Sequence, residues 1–291
     1  MSPKHLQKLG IWRSELFELP EFVTLAKQIN NTLKGKTIRR GCLGNIPHKF
    51  VWYNRSHDEF DRLTKGKTIG EAQAKGKWVF IPLEPGYVLL LGECGGKVLY
   101  HPPGSKVPKK YHLHITFEDD SFLTVTTQMW GAMELYEKGE ELNRKYVKGM
   151  KTTPIEPEFT FEYFCTLIGT LAKTKKRSVK GLLTQDQIIP GLGNAIAQDI
   201  LFQAHLHPKH PIDDLTKDQR RELYNAILNT VREAIKKGGR YDEYDLYNNP
   251  GKYVRIMDRK AVGHPCPACA SNIEKMQYLG GTCYFCPNCQ K

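Results

Sequence analysis

The last 26 residues hold Cys266-Pro-Ala-Cys269 and Cys286-Pro-Asn-Cys289, two Cys-x-x-Cys knuckles with 16 residues between them. Each knuckle presents two thiolates from one tight turn, and four thiolates complete a tetrahedral zinc shell. The spacing predicts one structural Zn2+ held by Cys266, Cys269, Cys286 and Cys289, with Cys283 left free. A closed four-thiolate shell has no open position for chemistry, so the metal folds the module and does no catalysis. The chain has eight cysteines, five of them in this terminal cluster. A disulfide framework would spread its bridges through the fold, so the clustering points to a reducing compartment. The expected location is cytoplasmic, nucleoid-associated in a bacterium.

A length of 291 residues allows about two domains and a small third module. Lys and Arg number 43 against 31 Asp and Glu, a formal charge of +12, which suits a polyanionic partner. No run of about 18 apolar residues is present, so no membrane span is expected. The stretch "MSPKHLQKLGIWRSEL" lacks the apolar core and cleavage site of a secretory signal and reads as an N-terminal extension, residues 1–16.

The periodicity changes once along the chain. "KWVFIPLEPGYVLLLGE" is two apolar runs about a Glu84-Pro85-Gly86 turn, and "YHLHITFEDDSFLTVTTQMW" repeats the plan about Glu118-Asp119-Asp120. These are hairpin signatures, and strands so spaced predict antiparallel sheets in a sandwich or barrel over 17–140. His112 and His114 alternate with apolar residues and are expected on the wetter strand face. Residues 138–158 are charged, contain Pro154 and Pro157, and read as a linker. Beyond it the period is helical: Phe161, Phe164, Ile168 and Leu171; Ser178 as a cap; a helix from Asn194; and a Thr216/Gln219 capping box. The helical domain is placed at 155–245 and the metal module at 260–291.

Two short stretches carry candidate chemistry. In "FELPEF", Glu18 and Glu21 bracket Leu19-Pro20 at the head of an apolar helical stripe. Acids and proline are ordinary at a helix start. In "IIPGLGNAIAQDILFQAHLHP", Gly191 and Gly193 allow close backbone approach, and Asn194 opens a helix whose N-terminus suits a phosphate.

Taken in order, these pieces resemble the formamidopyrimidine-DNA glycosylase / endonuclease VIII family. "FELPEF" is similar to its N-terminal Met-Pro-Glu-Leu-Pro-Glu, and "AKGKWVF" to its hairpin with a lysine. "LLTQDQIIPGLGNAIAQDILFQAHLHP" is similar to its helix–two-turn–helix, and "CPACASNIEKMQYLGGTCYFCPNCQ" to its zinc finger. The resemblance implies an α+β protein: an N-terminal antiparallel β-sandwich domain, then a C-terminal helical domain with helix–two-turn–helix and zinc finger. It implies a monomer with DNA in the intervening cleft, a damaged nucleotide flipped out, and an amine attacking the sugar to expel the base and cut the strand. Matched by position, Glu18, Glu21 and Lys77 are the catalytic candidates. Lys180, Gly191, Gly193 and Asn194 are the DNA-binding candidates, with Trp130 as a possible intercalator.

Four departures set the functional question. Phe17 stands where the family's nucleophilic proline belongs. Gly281 stands where the finger's phosphate-binding arginine is usual. Glu93 replaces a methionine wedge, and Thr127-Gln128-Met129-Trp130-Gly131 replaces an Arg-Phe loop. A carboxylate in a base stack is costly. Two expectations follow: a base-excision-repair glycosylase and AP lyase acting through Lys77 and Glu18, or a catalytically inactive relative that binds DNA structure.

Overall fold

The structure is a computed structural model describing residues 16–172 and 176–291. The expected extension, apart from Leu16, lies outside the described residues. The chain divides into two compact units. The first joins residues 16–150 to 235–253, and the second joins 151–234 to 254–291.

The first unit opens with α1 (Leu19–Thr32). Leu19, Phe22, Leu25, Ala26 and Ile29 recur at helical spacing and are buried. Two sheets follow. The smaller runs β1 (Ile38–Leu43), β8 (Leu113–Phe117), β9 (Phe122–Thr127) and β7 (Gly96–His101) in spatial order. The larger runs β2 (Val51–Trp52), β10 (Gly131–Glu137), β6 (Tyr87–Gly92), β5 (Trp78–Glu84) and β3 (Thr68–Ile69), with β4 (Gln73–Lys75) also on β5. Pairing is antiparallel except for the short β2–β10 contact. A second helix, α2 (His57–Thr64), carries a Ser56/Glu59 capping box. Ile115, Phe117, Leu123 and Val125 of one sheet and Val79, Ile81, Leu89 and Leu135 of the other share one core with α1, the expected sandwich.

Both expected hairpins form, β5–β6 about Pro85 and β8–β9 about Asp119. His114 is half-buried on the outer strand face. His112 is a correction: it is 3% exposed, and its Nδ1 accepts the Thr127 N–H at 2.9 Å. A backbone donor recruits this ring inward, which alternation alone does not reveal.

The first half of the expected linker is also corrected. A 3-10 turn (Glu140–Asn143) leads into residues 144–150, which fold onto the outer face of the larger sheet. Arg144 lies 4.1 Å from the Trp78 ring and pairs with Glu134, while Val147 and Met150 pack beside it. Trp78 needs room, and Gly92 supplies it: a Cβ there would sit 1.9 Å from the indole.

The second unit contains α3 (Phe161–Ala172), α4 (Val179–Thr184), α5 (Asn194–Gln203) and most of α6 (Lys217–Lys236), then β11 (Glu274–Tyr278) and β12 (Gly281–Phe285) as one hairpin. The capping box at Thr216/Gln219 is present. Gly238 and Gly239 follow α6 with φ of +72° and +94°, conformations glycine adopts without strain. By its contacts the segment 235–253 packs with the sandwich, where Leu246 enters the core and Arg240 pairs with Glu21.

Candidate active site and nucleic-acid interface

Phe17 is 1% exposed, packs edge-on to Phe22 at 5.8 Å, and donates its amide N–H to the Cys94 carbonyl at 2.9 Å. That nitrogen is acylated, so its lone pair is delocalised into the peptide bond and is no nucleophile. The neighbouring Cys94 thiol is pushed up to about 12 by burial and stays protonated near neutrality.

Glu18 and Glu21 close a capping box on α1, with the Glu18 N–H donating to Glu21 Oε2 at 2.8 Å. Both are buried, at 2% and 5% exposure. Glu21 Oε1 accepts from the Arg240 backbone N–H (2.9 Å) and Nε (3.2 Å), and Oε2 accepts from Nη2 (3.1 Å). Arg240 also donates to the Leu16 carbonyl at 2.9 Å and lies 3.6 Å from Glu243. A bidentate guanidinium–carboxylate pair of this kind fixes geometry strongly. Glu21 is therefore a structural clasp between α1 and the turn after α6.

Lys77 is half-buried in the β4–β5 turn. Its carbonyl accepts the Glu93 N–H at 3.2 Å, and the next residue, Cys94, receives Phe17. The β6–β7 turn thus brings Phe17 and Lys77 to the same stretch of backbone. Glu93 sits in that turn with a φ of +49°. Trp130 stacks on Trp52 at 5.3 Å and 9° and tilts against Phe50 at 4.7 Å. It is one member of an aromatic stack.

In the second unit the DNA-binding candidates converge on the finger hairpin. Lys180 is 1% exposed and donates Nζ to the Tyr278 carbonyl at 2.7 Å. Asn194 donates Nδ2 to the Thr282 carbonyl at 3.2 Å, and its Oδ1 accepts from Gln198 at 3.1 Å. The Gly191 N–H donates to Gln187 Oε1 at 2.9 Å. Gly193 is the N-cap residue of α5. A Cβ at Gly281 would lie 3.0 Å from Asn194 Oδ1, so the small residue and the docked amide fit each other. Lys180 and Asn194 act here as struts between the helical element and the hairpin.

The sulfurs of Cys266, Cys269, Cys286 and Cys289 all lie within 4.8 Å of one another. The Cys266–Cys289 pair is at 3.8 Å and the Cys269–Cys286 pair at 3.4 Å. Zinc–sulfur bonds of about 2.3 Å in a tetrahedron place sulfurs about 3.8 Å apart, so the donors fit a metal. Backbone N–H groups of Ala268 and Cys289 reach Cys266 Sγ and Cys286 Sγ at 3.4 Å, steadying the thiolates. Cys283 lies outside the cluster, and burial raises its thiol.

Residues 16–133 match the formamidopyrimidine-DNA glycosylase N-terminal domain, and residues 151–243 match the formamidopyrimidine-DNA glycosylase H2TH domain. The formamidopyrimidine-DNA glycosylase of Bacillus licheniformis is 31% identical over 280 residues, covering 94% of this chain and 99% of that one. The chain belongs to the formamidopyrimidine-DNA glycosylase family. The fold agrees. The Thermus thermophilus family member superposes with a TM-score of 0.78 at 25% identity, over 94% of this chain and 98% of that one. The Lactococcus lactis member, solved with abasic-site DNA, gives 0.82 at 23% identity, over 94% and 99%. Within this family frame, sequence reasoning missed Arg240, whose partner is 219 residues away, and Trp52, which an aromatic alternation at Phe50-x-Trp52 could have flagged.

Proposed function

We propose that the protein is a base-excision-repair protein of the DNA glycosylase / AP-lyase type that binds damaged or abasic duplex DNA. Family membership along 94% of the chain carries this reading. The charge of +12 supports it. The four-cysteine cluster is proposed to hold zinc, closed and structural, keeping the finger folded on the helical element.

One observation favours the second reading, a relative that binds such DNA with weak or no cutting. The nitrogen in the nucleophile's place is a buried, acylated amide. Any Schiff base then needs a side-chain amine, and Lys77 is the lysine that the family pattern puts nearby. Proton transfer by Glu18 competes with its role in the capping box. The expected result is weak or absent borohydride trapping on an abasic duplex, lost entirely in Lys77→Ala, with any base release lost in Glu18→Gln. Strong trapping that survives Lys77→Ala refutes the lysine assignment. Strong cleavage of oxidised-base duplexes by the wild type refutes the second reading.

A further inference from the structure

The larger sheet carries an aromatic surface that the reactions above do not use. In the parallel β2–β10 contact Val51 pairs with Gly131 and Trp52 with Ala132, and the Gly131 N–H donates to the Phe50 carbonyl. Phe50, in the turn before β2, and Trp52 both pack on Trp130, which immediately precedes β10. The resulting stack has the Trp52 and Trp130 rings 9° from parallel. Trp130 is half-buried and engaged by both partners; Trp52 is 43% exposed at the sheet edge.

The row continues across the sheet. Trp52 pairs with Ala132, Ala132 with Gly92, and Gly92 with Trp78. The Trp78 indole lies over Gly92, and Ala132 is buried beside it. Three strand spacings separate Trp52 from Trp78, about 14 Å. Trp78 follows Lys77 directly, but the 144–150 segment covers it. Among the described residues nothing covers the outward face of Trp52 in this way. Lys49 is exposed, and its Nζ lies 5.9 Å from the centre of the Phe50 ring.

We propose that the outward face of Trp52, backed by Trp130 and Phe50, is a platform on which an unpaired nucleobase of DNA stacks. The inference rests on the nucleic-acid reading above and names the part of the DNA this surface takes. A paired base has its ring faces covered by its neighbours, so only an unpaired or extruded base offers a face to an indole. Stacking on an aromatic ring is tolerant of base identity. Lys49 supplies positive charge for the adjoining phosphate.

The test compares full-length, zinc-loaded protein on two labelled duplexes of equal length, one fully paired and one with a bulge of three thymines. Binding is followed by anisotropy and by quenching of tryptophan emission. Trp52→Ala is expected to weaken the bulged duplex between about fivefold and about 150-fold, the range for one stacked base, and to leave the paired duplex within about twofold. Trp52→Phe is expected to restore part of the loss. An unchanged thermal midpoint in both variants excludes a folding cause; a large drop on truncating so exposed a side chain would itself overturn the placement. Equal binding of the bulged duplex by wild type and Trp52→Ala overturns the platform and leaves the DNA reading standing. Equal weakening of both duplexes also overturns it, since loss of base stacking spares paired DNA. Failure of the wild type to bind either duplex overturns both readings.

Discussion

Replacing Arg240 with alanine removes the guanidinium and leaves Glu21 buried with two backbone donors, the N–H groups of Glu18 and residue 240. Two side-chain hydrogen bonds to the carboxylate are lost, at 3.2 and 3.1 Å, together with one to the Leu16 carbonyl. A hydrogen bond to a charged group contributes about 1.5–3 kcal/mol, so the two to Glu21 come to about 3–6 kcal/mol. Breaking a buried ion pair from one side costs about 3–5 kcal/mol, and the two routes agree. With a urea slope of about 2 kcal/mol/M, the unfolding midpoint should fall by about 1.5–2.5 M. Trp52, Trp78 and Trp130 all lie in the affected unit, so tryptophan emission reads it directly. Adding Glu21→Gln to Arg240→Ala should recover about half the loss at pH 7, because a neutral amide is cheaper to bury. An Arg240→Ala protein within about 1 kcal/mol of wild type at pH 7 would refute the clasp.

Metal analysis should find one zinc per chain, retained in Cys283→Ser and lost in Cys286→Ser; retention in the latter defeats the four-thiolate assignment. Gly281→Ala should cost about 1 kcal/mol of finger stability alone and almost nothing in an Asn194→Ala background, because the Cβ meets Asn194 Oδ1; equal costs in both backgrounds contradict that contact. Asp119 is held down to about 2 by Lys36 and Ser121. Its folded pKa is depressed, so its contribution is present above about 4 and lost as pH falls through about 2. Asp119→Asn should therefore lower the thermal midpoint slightly at pH 7 and by a smaller amount at pH 2.

The elements legible in the sequence are those written in local code. The knuckles, both hairpin turns, the Ser178 cap and the Thr216/Gln219 box depend on residues a few positions apart, and each forms as read. What escaped depends on distant partners. Lys180 and Asn194 fit a phosphate claw by motif, but whether their polar atoms face solvent or the finger's carbonyls is settled 98 and 88 residues away. The charged stretch after 138 looks like a tether because its lysines and glutamates mask Arg144, Val147 and Met150, which have a tryptophan to cover. Glu21 is ambiguous for the same reason: a carboxylate at a helix start serves a clasp or a reaction equally well until the opposing side chain is known.

The bond between Leu16 and Phe17 is held on both sides, the carbonyl by Arg240 and the N–H by Cys94. A peptidase must draw several residues of extended chain into its groove before it cuts. Doing so here means pulling Phe17 from the core and breaking the Leu16–Arg240 and Phe17–Cys94 bonds, so cutting needs a local opening of the unit. The same contacts that bury the Phe17 nitrogen therefore also shield the bond whose cleavage would free it.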